Sequence, residues 1–347
     1  MSEVSSSSKW SRLADLVRPR TPRWPPYSML EESIEERARQ RLDKLERIYH
    51  IGQDNIWDGR ETLQALIAKH GPPRLDPPRK QAALKILSVL MWGELAAWAI
   101  SADLAERIGD IEAKMAATSQ AHDEARHFYV LRDYLRATGE EVPRLGGIAR
   151  RLLIGILETD NLVHKLVGMQ LLVESNALSL FHGLADTNVE PVLTELLPYY
   201  ERDEARHVGL GVMYLPRLLR QLSDWEAAGV VAFQARCLAL LMTGGNVLRG
   251  DMLTLGMDQR KMATYTLGLQ SDIVATMLQD AGADSSAPGA RRRDAVRGLL
   301  NPGKSPAKNR MLDFIHPPHG IKNAPPLHQA ALRAWASVGR VMDRIWA

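Results

Sequence analysis

The feature that most constrains this chain is an internal echo. Glu94, Glu124 and His127 recur as Glu174, Glu204 and His207 at one constant offset (174 − 94, 204 − 124 and 207 − 127 are all 80), within "SQAHDEARHFYV" at 119–130 and "YYERDEARHVGL" at 199–210. On a helix, Glu and His three residues apart share one face. Each pair follows a Glu set in an apolar stretch, Glu94 in "LMWGELAAW" and Glu174 in "MQLLVESNALSL", and 124 − 94 and 204 − 174 are both 30. With a turn at Gly109-Asp110, Glu94 and Glu124 each stand about 22 Å from it at ~1.5 Å per residue. A second turn near Asn188-Val189 gives the other half the same geometry. Two such hairpins packed together bring four Glu and two His to one height in a bundle interior.

Four carboxylates cannot all stay ionised in a dry interior. Like charges repel, and desolvation costs about several kcal/mol per ion. Two divalent cations would cancel the charge, and hard carboxylate oxygens mixed with imidazole suit iron or manganese. A metal-bound His also needs its second ring nitrogen held by an acceptor. Asp123 and Asp203 are the candidates, each serving the His of the opposite half, with Arg126 and Arg206 pinning them.

Around this repeat, apolar residues recur at helical spacing and strand-like alternation is missing. Long helices are expected over 80–107, 111–137, 149–185 and 189–221, with further helices over 31–50, 224–245, 256–281 and 327–346. The expected architecture is all-α, a four-helix bundle with additional N- and C-terminal helices. Residues 1–28, rich in Ser, Arg and Pro, read as disordered. Residues 29–281 read as the helical domain with its core bundle at 80–221, 282–326 as a basic linker-like segment, and 327–347 as a C-terminal helix.

Composition narrows the class further. The single cysteine, Cys237, excludes an intramolecular disulfide or a Cys-Cys metal site and fits a reducing cytoplasm. A net charge of +3 is small for 347 residues, so nucleic acid is not an expected partner. The N-terminal stretch lacks the apolar core of a secretory signal. The most apolar run, 86–100, contains Glu94 and is shorter than the ~20 residues of a membrane span, so it reads as a buried helix. "TGGNVLRGDM" lacks the Gly-Lys-Ser/Thr of a phosphate loop, and "ARRRDAVR" at 290–297 reads as a solvated face. Trp92, Trp98 and Met91 read as core. Gln120 and Tyr200, each one turn before a Glu-x-x-His, either point into the site or pack.

At these motifs the chain resembles the ferritin-like di-iron carboxylate superfamily. The doubled Glu…Asp-Glu-x-Arg-His pattern is most similar to the large subunits of bacterial multicomponent monooxygenases. It is more distantly similar to acyl-carrier-protein desaturases and ribonucleotide reductase small subunits. The resemblance covers about 80–221 and implies two irons, with manganese an option. Glu94, Glu124 and His127 would hold one metal and Glu174, Glu204 and His207 the other, Glu124 and Glu204 bridging. Three departures stand out. Leu131 occupies the position of the reductases' radical-forming Tyr, with Tyr129 and Tyr134 out of register. Leu178 replaces the monooxygenases' Thr, with Ser175 and Ser179 nearby. Both copies read Asp-Glu-Ala-Arg-His, where one desaturase motif reads Glu-Glu-Asn-Arg-His.

The expected activity is therefore oxidation by dioxygen of a small organic or acyl substrate, chiefly hydroxylation. No flavin, nicotinamide or iron–sulfur motif is visible, so a separate reductase or ferredoxin would supply electrons, and a homodimer is one expected assembly. Desaturation, or another two-electron oxidation, would use the same six ligands. Ferroxidase storage or rubrerythrin-like peroxide reduction is the reading from another class. Storage proteins have about half this length, and no Cys-x-x-Cys rubredoxin module is present. A purely structural bundle would leave the site empty.

Overall fold

The computed structural model describes residues 42–266, 268 and 312–346, and among these the chain is helical without a strand. In chain order the helices are α1 (Asp43–Asp54), α2 (Gly59–His70), α3 (Pro77–Arg107), α4 (Ile111–Ala137), α5 (Gly147–Leu157) and α6 (Leu162–Leu166). A π-helical segment, Val167–Val173, then leads into α7 (Glu174–Ala185). There follow α8 (Pro191–Leu219), α9 (Asp224–Val247), α10 (Arg249–Leu255) and α11 (Pro326–Trp346). Helices α3 and α4 form one hairpin and α7 and α8 the second, with α4 packed against α8. This is the ferritin-like four-helix bundle, carrying added helices before and after it.

Local chemistry sets the ends of these rods. Pro77 and Pro78 open α3, where a fixed φ is preorganised and the missing N–H is no loss. Asp110 at the α3–α4 turn accepts from Tyr214 Oη and pairs with Arg217 Nη2, both at 2.9 Å, which ties the first hairpin to α8. At the second turn Asn188 takes φ 44°, and Glu190 caps α8 by accepting from Leu193 N at 2.9 Å. Tyr134 Oη donates to the same Glu190 carboxylate at 3.0 Å, so that tyrosine is an anchor at the end of the bundle. Ser223 and Glu226 form a reciprocal capping box at the start of α9.

Several boundaries differ from the sequence expectation. The helix expected over 149–185 is interrupted at 158–161, where Asn161 restarts it by accepting from His164 N at 3.0 Å, and it then widens into the π segment. Helix α2 was not foreseen; Asp58 caps it through Glu61 N at 2.8 Å. The helix expected from 256 is delayed by Gly256, at φ 83°, and resumes at 259–266. The expected linker-like character does not extend to 312–326: Leu312 and Ile315 are buried and a 3-10 turn covers Ile321–Asn323. Trp98, expected in the core, is 41% exposed, because it lies on the outer side of α3. The expected disordered segment 1–28, residues 31–41 of the first helix, 269–281 and the basic run at 290–297 lie outside the described residues.

Among the described residues, two helices are long and apolar enough to cross a membrane by length and composition, Pro77–Arg107 and Trp225–Val247. The first is a central rod of the bundle. One apolar cluster holds Leu84, Leu87 and Leu90 of α3, Val130 and Tyr134 of α4, and Val192 and Leu196 of α8. Another holds Ile100 and Leu104 of α3, Ala113 and Ala117 of α4, and Leu210 and Tyr214 of α8. Between them lies a buried polar layer: Glu94 on α3; Gln120, Asp123, Glu124, Arg126 and His127 on α4; Glu174 on α7; and Asp203, Glu204, Arg206 and His207 on α8. Dry apolar packing on both sides fixes that layer's height.

A tight approach beside this layer falls at Gly211 of α8, where an added Cβ would lie 2.5 Å from Gln170 Cβ on the π segment. Gly209, on the same helix, would meet only Ile48 Cδ1 at 3.4 Å. Gly211→Ala is therefore expected to destabilise by about 1–3 kcal/mol through overpacking. Gly209→Ala should be neutral or stabilising by up to ~1 kcal/mol from helix propensity. Equilibrium urea unfolding of both variants checks the contrast.

Candidate metal centre

The structure brings all six predicted ligand residues into one buried layer. Glu94, Glu124, His127, Glu174, Glu204 and His207 are each no more than 4% exposed. They form two overlapping groups whose donor atoms lie within 4.8 Å of one another: Glu94, Glu124, His127 and Glu204, and Glu124, Glu174, Glu204 and His207. Glu124 and Glu204 belong to both, which is the placement a bridging carboxylate needs. Glu124 Oε1 lies 3.0 Å from His207 Nδ1 and its Oε2 lies 3.6 Å from His127 Nδ1. Glu204 does the same in mirror fashion, at 2.9 Å from His207 Nδ1 and 3.1 Å from His127 Nδ1.

Both imidazoles are oriented from behind. His127 Nε2 lies 3.2 Å from Asp203 Oδ2, and His207 Nε2 lies 3.4 Å from Asp123 Oδ2. Each aspartate thus serves the histidine of the opposite half. Arg126 Nη2 donates to Asp123 at 2.5 Å and to Asp203 at 2.8 Å. Arg206 donates to the same two carboxylates at 2.8 Å each. The result is a closed, buried square of two cations and two anions, self-neutral, locking both rings with Nδ1 facing the carboxylates. Burial opposes ionisation of Asp203, but His127, Arg206 and the indole of Trp57 hold its carboxyl far below the usual range.

Side chains that no repeat flags complete the layer. Trp57 Nε1 donates to Asp203 Oδ2 at 2.8 Å from the loop before α2. Gln120 points into the site: its Nε2 donates to Glu174 at 2.6 Å and to Glu124 at 3.2 Å, while its Oε1 accepts from Gln170 Nε2 at 3.0 Å. Tyr200, at the matching position of the other half, packs instead, its ring stacked on His127 at 4.4 Å and its hydroxyl donating to His127 O at 2.8 Å. Gln120 has a readable signal, an amide one turn before a ligand Glu on the same helix face. Trp57 and Gln170 have none, because their partners are distant in the chain.

Electrostatics shows what the layer lacks. Burial, with the charges of Glu204 and Glu124, pushes the Glu94 and Glu174 carboxyls well above their ordinary range. Burial opposes ionisation of Glu124 and Glu204 too, but His207 and His127 pull both below it. Burial likewise opposes protonation of the imidazoles, yet Asp203 and the glutamates raise His127 and Glu124, Glu204 and Asp123 raise His207, both well above an ordinary histidine. Proton uptake on Glu94, Glu174, His127 and His207 is thus favoured. Even so, His127 Nδ1, Glu124 Oε2 and Glu204 Oε1 are buried with no hydrogen-bond partner. Unpaired donor atoms converging in a dry site are what a metal ion satisfies.

Two outcomes follow. Metal binding must displace protons from groups whose affinity for protons is raised, so divalent-metal affinity falls as pH is lowered and loading releases protons. Calorimetry in buffers of differing ionisation enthalpy measures both. Asp203→Asn keeps the shape but leaves Arg126 and Arg206 short of one charge and loosens His127. Metal affinity is expected to drop about 10- to 100-fold, read by competition with a chromophoric chelator.

No protein-family profile matches the chain, and no curated protein matches it either. Solved structures do. An R2-like ligand-binding oxidase variant with an anaerobically reconstituted Mn/Fe cofactor superposes with a TM-score of 0.54 at 17% identity, over 68% of this chain and 92% of that one. A second variant with the same cofactor gives 0.50 at 17% identity, over 75% and 93%. A third variant, also with an anaerobically reconstituted Mn/Fe cofactor, gives 0.50 at 17% identity, over 74% and 93%. At this identity the likeness establishes the ferritin-like helical fold that the chain shares with these oxidases.

Proposed function

We propose that this chain is a non-haem di-metal oxidase that activates dioxygen and oxidises an organic substrate. The observation that carries the reading is the pair of four-residue donor groups sharing Glu124 and Glu204, buried, with His127 Nδ1, Glu124 Oε2 and Glu204 Oε1 left without hydrogen-bond partners. Glu94, Glu124, His127 and Glu204 would hold one ion and Glu124, Glu174, Glu204 and His207 the other, the mixed carboxylate–imidazole set favouring iron or manganese. The Mn/Fe cofactors of the R2-like oxidases that share the fold support iron, with manganese in one position. Bound metals would supply the electrons and the open positions for dioxygen.

The chain's own residues do the rest. Asp123 and Asp203 keep the Nε2 protons of the histidines, so each Nδ1 lone pair faces the metals. Gln120 fixes Glu174 and Glu124 by its amide, a donor that never titrates. The Asp–Arg square and the Tyr200 ring close the α4–α8 side. On the other side Glu94 and Glu174 line a cavity of about 300 Å³, shared with Ala97 and Ala177. Substrate would approach bound metals there, between α3 and α7, along a mostly apolar lining. No residue among those described supplies a built-in electron carrier, so electrons arrive from a separate reductase or ferredoxin. Hydroxylation is the favoured outcome. Within a reducing cytoplasm the lone buried Cys237 stays a thiol.

The test loads the protein anaerobically with Fe(II), alone and with Mn(II), then adds labelled dioxygen. About two metals per chain by elemental analysis, with a transient visible absorption on mixing, is the expected result. Label in an organic product supports oxygenation; oxidised product without label supports desaturation or oxidase chemistry. Zinc as the sole bound metal, or no reaction with dioxygen, overturns the reading.

A further inference from the structure

The cavity beside Glu94 and Glu174 has two chemically different ends. Its walls are apolar, with Leu152, Leu172, Leu238 and Met252 among them, but Asn246, Arg249 and His316 also line it. This polar end is remote from the metals. Asp251, two residues beyond Arg249, pairs with Lys85 at 2.9 Å, and Lys85 precedes Glu94 by nine residues (94 − 85) on α3. At ~1.5 Å per residue that is about 13 Å along the helix.

The polar end is also incomplete. Asn246 is 4% exposed, and its Nδ2 has no hydrogen-bond partner among the described residues. Its Oδ1 already accepts from Arg249 Nε at 3.0 Å, so the two side chains are held as one unit. Arg249 is half-buried and donates Nη2 to Ile315 O at 2.8 Å, while Gln259 holds its backbone carbonyl at 2.9 Å. No carboxylate pairs with Arg249 among the described residues, although Asp251 and Asp313 nearby are taken by Lys85 and Arg260. Burial, with the Arg249 and Arg260 cations, pushes His316 down to about 4, so it is neutral at physiological pH and Arg249 is the cation facing the cavity. A partly desolvated guanidinium without a counter-charge, beside a buried and unpaired amide donor, is unfavourable at the edge of an apolar enclosure. One bound anion would satisfy both.

We propose that Asn246 and Arg249 form a head-group subsite that takes the carboxylate of an aliphatic organic acid, whose apolar body lies along the cavity toward Glu94 and Glu174. Arg249 supplies charge and Asn246 Nδ2 the second donor, a pairing suited to two carboxylate oxygens. The substrate class rests on the oxidase reading, but the recognition uses residues that touch no metal-site side chain.

Calorimetric titration of the full chain with decanoate and with 1-decanol, metal-free and loaded anaerobically with Fe(II), tests this. Decanoate is expected to bind at least about 10-fold tighter than the alcohol in both metal states, since a hydrogen bond to a charged group is worth about that factor or more. Arg249→Gln should weaken decanoate about 10- to 100-fold and leave 1-decanol unchanged, with Arg249→Lys intermediate. Asn246→Asp, which sets a carboxylate beside Arg249, should weaken decanoate as well. Equal affinity for the two ligands in the unsubstituted protein overturns the subsite without recourse to any variant. So does decanoate binding that is indifferent to Arg249→Gln, or that needs the metals, because either puts the carboxylate at the other end. Arg249-dependent binding in a protein inert to dioxygen would uphold the subsite and sink the oxidase reading. Dioxygen consumption with Arg249-independent binding would do the reverse.

Discussion

The structure depends on a layer of buried charge that must be balanced where it stands. In the protein without metal, Glu124 and Glu204 are pushed toward ionisation, His127 and His207 toward protonation, and Glu94 and Glu174 toward the neutral form. The negative and positive members then cancel. Exchange of those protons for two divalent cations leaves the balance unchanged, with every carboxylate ionised and both imidazoles neutral. The Asp123–Arg126–Asp203–Arg206 square is neutral in either state, so it orients the histidines without disturbing the sum. A buried ion pair alone is weak support for stability. Its role here is geometric, since it couples the two halves of the repeat through side chains that each half supplies to the other.

That reciprocity explains what was legible in the sequence. The constant offset of the two motifs, together with the turns at Gly109-Asp110 and Asn188-Val189, requires both Glu-x-x-His pairs to meet at one height, and the helices α3, α4 and α8 lie within a few residues of where periodicity puts them. Helical period and hairpin arithmetic are local properties, so a single sequence carries them. The crossed pairing of Asp203 with His127 and Asp123 with His207 is what spacing alone leaves open, because on a helix each Asp also stands one turn before the His of its own half.

What was not legible depends on partners far apart in the chain. The π-helical turn before Glu174 leaves no mark in the apolar pattern of "VGMQLLV", although its Gln170 lies tight against Gly211 of the distant helix α8. Trp57 lies in a loop 146 residues from the aspartate it bonds, and nothing near it repeats. Helix α2 is short and only weakly amphipathic, so its pattern is lost between two irregular stretches. The folded 312–326 stretch owes its order to Leu312 and Ile315 closing the cavity, a tertiary reason that composition does not reveal.

The repeat is symmetric in its ligands and asymmetric in everything that decides access. At equivalent positions Gln120 donates into the metal layer, whereas Tyr200 turns its face to His127 and its hydroxyl to the backbone. Asp203 carries the extra donor from Trp57, and no tryptophan is bonded to Asp123 among the described residues. Both asymmetries stiffen the α4–α8 wall, behind the histidines. The cavity lies on the opposite wall, where the first Glu of each half, Glu94 and Glu174, meets small side chains at Ala97 and Ala177. A rigid wall of charge on one side and a dry, apolar opening on the other confine any reacting molecule to the α3–α7 face. The ligand set alone would suit storage, detoxification or oxidation. It is this one-sided apolar access, with a polar terminus about 13 Å along α3 at ~1.5 Å per residue, that favours oxidation of an organic molecule held at a defined depth.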